Sequence, residues 1–441
     1  MANKMPTNQD RLLVRRYIQK LVSISLATIL LFSVSFLSWT GSAQADSFGC
    51  FQLTGNPPEC PNSTNENALV GSVCLSGINN DWHTTSTPLN QATSDVTVIS
   101  IHGDKIEKDT TQIGNRLQSL YNWNRYDFSG HVRNDMASKN DPNSCYNLNS
   151  HSGSNFEILH ITSNNFNDQT ALNLIGAHPR DVSIHGCKGA CPTNNTICVG
   201  GNNNATVNNG TNHPQVTQIV DFRDYVDDYK NLVNVVDPLK KEPLTFNVPL
   251  NIGDEGATCD PSIKGNSLNN IVNQTSTRQG LQLEMSEDIR ARLANNDIAD
   301  ELLRGVIFGG VAKALGELPL PLVTANGTED YSTGSGTFTR YKLKVENKIE
   351  YPSALFAPAP TLPACGLNAN SSRTWVNIYN AANDQYIYGF CALGSPQNLD
   401  SIWFAVAQGT NPPASVPASV YVTLQDRQTA RTYRSNTVPI K

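Results

Sequence analysis

Two fragments decide the fold: Val96-Thr-Val-Ile-Ser-Ile-His102-Gly-Asp-Lys-Ile-Glu107 and Asp181-Val-Ser-Ile-His185-Gly-Cys-Lys-Gly189. Each is a short β-branched run ending in His-Gly. The β-branching favours a strand, and the glycine lets the backbone turn at its end, where open α/β sheets build their sites. The first fragment adds a carboxylate, Glu107, one turn of chain further on. Two imidazoles and a carboxylate are the protein ligands of a catalytic zinc, which keeps a fourth position open. A third fragment, Gly280-Leu-Gln-Leu-Glu-Met-Ser286, alternates with period two. Leu281, Leu283 and Met285 are expected to face the core and Gln282 and Glu284 the other side, which makes Glu284 the candidate general base.

Strand and helix patterns alternate outward from these fragments. Strands are expected at Val96–Ile101, Phe156–Ile161, Val182–His185 and Leu281–Met285. Helices are expected at Thr110–Leu120 (with Thr110 as cap), Gln169–Ala177, Asp221–Val236, Glu287–Ala294 and Ile298–Leu318. This predicts an α/β class: a mixed, mostly parallel open sheet flanked by helices. Two Asn-rich stretches, Asn134 to Ser154 and Thr193 to His213, read as inserted surface loops. From Thr337 the helical pattern stops, and six strand candidates between Tyr341 and Pro439 follow, separated by turn residues. That texture predicts an immunoglobulin-like β-sandwich. The expected division is an α/β domain with the zinc-type ligand set over 92–320 and a β-sandwich over 337–441.

The chain opens with a basic segment (Lys4, Arg11, Arg15, Arg16, Lys20), an apolar run from Leu21 to Trp39, and Ala43-Gln44-Ala45. This is the pattern of a cleaved signal peptide over 1–45, which predicts a secreted or periplasmic protein with no stable membrane anchor. Phe48 spoils a lipobox at Cys50. The formal charge is −6, and the first 45 residues carry five basic side chains and one acidic one, so the mature chain is near −10. That balance argues against nucleic acid, and an anionic polymer would have to be met by a local basic pocket. All 10 cysteines lie beyond the cleavage site. In an exported chain they read as disulfides, with Cys365–Cys391 and a pair within Cys187, Cys191 and Cys198 as candidates. Residues 46–91, rich in Asn, Ser, Thr, Pro and Gly, read as a loop-rich, disulfide-tied extension.

Taken in order, five segments resemble the poly-γ-glutamate hydrolase family of bacteriophage type, which has a zinc-carboxypeptidase-like fold. They are His102-Gly to Ile106-Glu107, Leu159-His-Ile-Thr-Ser163 with Asn165-Phe166, Ser183-Ile-His-Gly-Cys-Lys-Gly189, Val199-Gly-Gly201, and Gly280-Leu-Gln-Leu-Glu284. The resemblance spans Thr93 to Leu293. It implies Zn²⁺ held by His102, Glu107 and His185, with Glu284 as base and poly-γ-glutamate or another γ-glutamyl or amino-acid polymer as substrate.

The chain departs from the family at two places. Asp104 stands where a glycine is expected. Asn270-Ile-Val272-Asn273-Gln274 lacks the family's cysteine and arginine, so Arg278 or Lys188 must meet a substrate carboxylate. His160, inside an apolar run, reads equally as a structural or a site histidine, whereas His151 and His178 read as loop residues. Two alternatives stay open: a metallocarboxypeptidase or cell-wall amidase on the same scaffold, and a non-catalytic polymer-binding surface protein.

Overall fold

The computed structural model describes residues 82–130, 160–187, 191, 195–201, 217–233, 259–260, 263–278, 280–365, 371–409 and 415–440. The signal segment, residues 46–81 of the expected extension, the Asn134–Ser154 insert, most of the expected Phe156–Ile161 strand, Lys188 and His151 fall outside these residues. The Thr193–His213 stretch is not simply a surface loop: Ile197–Gly200 within it is a buried strand. No helix among the described residues is long and apolar enough to cross a membrane.

Six strands form the sheet that carries the site: β1 (Trp82–Ser86), β2 (Val96–Asp104), β3 (Asn124–Gly130), β4 (Arg180–Gly186), β5 (Ile197–Gly200) and β6 (Leu281–Met285). Their spatial order is β1-β3-β2-β4-β6-β5. The central pairs β2–β3, β2–β4 and β4–β6 are parallel, and the edges β1–β3 and β5–β6 are antiparallel. The sheet is therefore mixed with a parallel centre, as the alternating pattern predicted. From β2 the chain leaves through α1 (Thr110–Tyr121) toward β3 on one side, and from β4 it proceeds toward β6 on the other. The carboxyl ends of β2 and β4 thus flank a topological switch point, where open α/β sheets place ligands.

One face of the sheet packs under α1 and under α3 (Thr217–Tyr229), α4 (Glu287–Ala294) and α5 (Glu301–Ala314). Its core joins Val96, Val98, Val182, Ile184, Leu281, Leu283 and Met285 to Ile113, Leu117, Phe222, Ile289 and Val311. On the opposite face Phe166 meets Tyr126 and Phe128 edge-on, near α2 (Gln169–Gly176), whose Asp168 cap accepts from the Ala171 amide. In β6 the predicted alternation holds: the leucines and Met285 join the helix-covered core. Gln282 and Glu284 point to the other side and are nonetheless buried.

Two local expectations change. The long helix from Ile298 begins as a 3-10 turn and is α-helical only from Glu301 to Ala314. Thr110 does not cap α1; its hydroxyl donates to the carbonyls of Glu107 and His102 (2.9 and 3.2 Å) and so ties the site loop. Asp104 has φ +55°, a left-handed conformation that glycine adopts freely and aspartate tolerates.

The C-terminal strands form two antiparallel sheets. One contains β7 (Val323–Thr333), β8 (Gly336–Val345) and β11 (Ile402–Ala407) in the order β11-β8-β7. The other contains β9 (Thr374–Asn380), β10 (Tyr386–Cys391), β12 (Ser419–Asp426), β13 (Thr432–Arg434) and β14 (Val438–Pro439), ordered β10-β9-β12-β13 with β14 also on β12. Val323, Leu343 and Phe404 from the first share one core with Val376, Ile378 and Val422 from the second. The all-β part begins at Val323, because the expected start, Thr337, lies inside the β7–β8 hairpin.

This part is fastened to the helices of the first. Asn347 Nδ2 donates to the Tyr225 hydroxyl (3.0 Å) and the Leu320 carbonyl (2.9 Å), and its Oδ1 accepts from the Leu322 amide (2.9 Å). Disulfides join Cys187–Cys191, Cys198–Cys259 and Cys365–Cys391, so two expected pairings are present and Cys198 takes a distant partner.

Candidate metal centre

The site sits at the carboxyl ends of three adjacent parallel strands, with His102 on β2, His185 on β4 and Glu284 on β6. After His102 the chain turns at Gly103, where a Cβ would lie 2.3 Å from the Thr111 hydroxyl, so no larger residue fits. The Glu107 amide then bonds the His102 carbonyl at 2.8 Å and closes a tight loop that returns the carboxylate beside its own histidine.

The ring atoms have a clear polarity. His102 Nε2 lies 2.7 Å from the Ile161 carbonyl, an acceptor, so Nε2 carries the proton and Nδ1 bears the lone pair in the neutral ring. That Nδ1 faces Glu107 Oε1 at 3.0 Å and His185 Nδ1 at 3.1 Å. His185 Nε2 shares a 2.6 Å hydrogen bond with Ser183 Oγ, which turns its Nδ1 inward; Glu107 Oε2 lies 3.7 Å away. The second carboxylate oxygen also accepts from the Gly186 amide at 2.6 Å.

Two imidazole nitrogens and a carboxylate thus converge on one point, the atoms a cation would need as ligands. Separations of 3.0, 3.1 and 3.7 Å bracket the roughly 3.3 Å between tetrahedral N and O ligands at zinc bond lengths. The outward nitrogens bound to a carbonyl and a hydroxyl are the second-shell partners that metal-ligating histidines use. The donor set fits zinc.

Glu284 is the register partner of His185 across β4–β6. Gln282 Nε2 donates to Glu284 Oε1 (2.9 Å), and Asn270 Nδ2 in turn donates to Gln282 Oε1 (2.9 Å), so the carboxyl is held by a chain of amides. Burial, reinforced by the neighbouring Glu107 charge, raises the Glu284 carboxyl well above the usual range, against the pull of His102, Gln282 and Arg290. For Glu107 burial acts upward too, but the His102 and His185 imidazoles win and hold it well below its ordinary value. One carboxyl of the pair is thus held ionised and the other is disposed to take a proton.

The structure adds His160. Its ring centroid is 4.1 Å from that of His102, and His102, Glu107 and His160 place ligand atoms within 4.8 Å of one another. Burial and the neighbouring His102 hold its pKa down to about 3, so it is a neutral imidazole at the rim of the cluster. His178 is structural, between Thr97 Oγ1, Asn124 Nδ2 and the Leu174 carbonyl.

Arg278 is not brought to the site. It is exposed at the amino end of β6, hydrogen-bonded to Gln274 in a turn whose Thr277 bonds the Pro179 carbonyl, while His185 and Glu284 lie toward the other end of the strands.

Fold and cluster together give a mixed α/β protein with a buried His/Glu cluster, of a composition that can hold a metal ion, at the switch point of its sheet. Residues 132–217 and 245–302, about a third of the chain, match the family model described as poly-gamma-glutamate hydrolase. The matched stretches contain His160, His185 and Glu284 and begin after His102 and Glu107. No curated protein matches the chain. Among solved structures, a bacteriophage poly-gamma-glutamate hydrolase is 19% identical, covering 55% of this chain and 93% of its own, with a TM-score of 0.36. A structure described as YNDL-apo (zinc-free) is 22% identical, covering 53% of this chain and 91% of its own, with a TM-score of 0.35.

Proposed function

We propose that the chain is an exported zinc-dependent hydrolase of poly-γ-glutamate or a related γ-glutamyl amide polymer. The observation that carries this reading is the convergence of His102 Nδ1, His185 Nδ1 and the Glu107 carboxylate beside a proton-prone Glu284. The family match supports the polymer as substrate.

His102, Glu107 and His185 would hold the zinc, leaving His160 as a neutral donor or acceptor toward substrate. Zinc, when bound, supplies Lewis acidity at the scissile carbonyl and makes a water acidic near neutral pH. Glu284 takes the proton of the attacking water and returns it to the leaving amine. Gln282 fixes one carboxyl oxygen of Glu284, so the other is the atom that exchanges the proton. Lys188, three residues beyond His185, remains the candidate cation for the polymer's carboxylates; Arg278 does not, on its placement. The paired C-terminal sheets are read as an immunoglobulin-like sandwich appended to the hydrolase part, and the leading segment as a signal peptide that delivers the protein outside the cytoplasm.

The test is direct. Purified protein, with and without chelator, is incubated with poly-γ-glutamate, and chain length is read on a gel alongside metal content by elemental analysis. Shortening that requires one zinc per chain is expected. Stoichiometric zinc without hydrolysis of any γ-glutamyl substrate would make the chain a binding protein.

A further inference from the structure

Arg290 stands outside every motif above. It lies in the middle of α4, on a helix whose charges would ordinarily face water, yet it is 5% exposed. Its guanidinium reaches back over the carboxyl ends of the sheet. Nε donates to the Lys108 carbonyl at 2.8 Å, and Nη1 donates to the Met285 carbonyl at 2.5 Å. The same group packs on Gly186, where a Cβ would fall 2.3 Å from Nη1 and 2.6 Å from Cζ.

Lys108, Gly186 and Met285 have one property in common: each directly follows a residue of the site, Glu107, His185 and Glu284 respectively. Gly186 also donates its amide to Glu107 Oε2, so the backbone under the guanidinium is itself a partner of the carboxylate. We infer that Arg290 is the positioning residue of the centre, a planar clamp that sets the spacing of the three segments carrying Glu107, His185 and Glu284. A guanidinium suits this task because its rigid fork serves two carbonyls while its flat face covers a third backbone; an ammonium is a single point of charge. Glycine at 186 is the matching requirement, since any side chain there displaces the clamp.

The inference rests on the metal reading above and deepens it, so its experiment has two readouts. The first is zinc affinity of folded protein by chelator competition. Arg290→Met should weaken zinc about 10–100-fold, the usual cost of removing a supporting partner of metal ligands. Arg290→Lys should fall between it and wild type. Gly186→Ala should weaken zinc through the same displacement, and combining it with Arg290→Met should add little, because both act on one clamp. The second readout needs no metal: hydrogen exchange of zinc-free protein at the peptide covering 181–187. Loss of the clamp should speed exchange there, while the C-terminal strands keep their protection in every variant that folds.

Zinc affinity within twofold of wild type and unchanged exchange in folded Arg290→Met would overturn the inference. Additive losses in the double variant would also overturn it. If wild type takes up no zinc, the metal reading fails on its own, and the exchange comparison still decides whether Arg290 sets the segment.

Discussion

The carboxyl end of the six-stranded sheet and the seam beneath the C-terminal sheets both bury polar side chains, to opposite effect. At the seam each polar atom finds a complement. Asn347 gives its amide protons to Tyr225 and Leu320 and takes one from Leu322, and Asn436 exchanges hydrogen bonds with both backbone groups of Val323. At the sheet end the groups crowd on one another: Nδ1 of His102 lies against Nδ1 of His185 and the Glu107 carboxylate. A buried polar network normally survives only if its members are satisfied. The seam meets that condition with pairs of single donors and acceptors, whereas the sheet end gathers the atoms that the proposed zinc would share.

The largest expected effect breaks function alone. Glu284→Gln keeps the size and a hydrogen-bonding tip but cannot take up the proton, and general-base loss costs about 10²–10⁴ in rate. Zinc content should stay at the wild-type level, because Glu284 is not among the proposed ligands. Turnover and metal measured on one preparation check this, and near-normal turnover with zinc bound removes Glu284 from the mechanism.

The seam should answer in the opposite way. Asn347→Ala leaves the Tyr225 hydroxyl and the Leu322 amide buried without their partner, at about 1–3 kcal/mol for each unsatisfied group. A lower urea midpoint is expected, with unchanged turnover per folded molecule. If turnover falls and stability does not, the seam belongs to the active site and the contrast collapses.

How much of this was legible in the sequence follows from the kind of signal each element sends. Leu281–Met285 and Glu287–Ala294 were read to the residue, because one alternates with period two and the other opens on acidic residues after a serine. His102 and His185 were legible because a β-branched run ending in His-Gly marks a strand end. Strand β3 was missed: Asn-Arg-Tyr-Asp-Phe-Ser-Gly is almost wholly buried, with Asn124, Asp127 and Ser129 hidden beside aromatics, so it shows no alternation. Strand β1 is an exposed, polar edge whose partner lies some 40 residues downstream.

Arg278 was misjudged for a geometric reason. It was named as a substitute for the arginine missing from Asn270–Gln274, but six residues along an extended chain amount to about 20 Å, which leaves it at the other end of the strand from Glu284. Arg290 sent no signal, because the room for it is made by Gly186, more than a hundred positions away in the chain.

The smallest effect concerns Asp426, which refines the contrast by showing what an ordinary ion pair does in the C-terminal sheets. Its carboxylate takes both nitrogens of the Arg373 fork, Nε at 2.8 Å and Nη2 at 2.6 Å, as well as the Thr429 hydroxyl and the Gln428 amide. The Arg373 hydrogen bond leads in pulling its pKa down to about 2, against burial, with Thr429 and Gln428 assisting. An unfolded aspartate titrates near 3.9, so between about 2 and 3.9 the unfolded chain binds the extra proton. The stability this group supplies is therefore fully present above about pH 4 and is lost as pH falls through about 2. Because Arg373 is 28% exposed, solvent screens the pair, and Asp426→Asn should cost only about 1 kcal/mol at neutral pH. Urea midpoints of wild type and variant, taken from pH 7 down to pH 2, should converge at the acid end while zinc affinity at neutral pH is unchanged. A gap that persists at pH 2 would mean that Asp426 acts through its shape and its neutral hydrogen bonds and not through its charge.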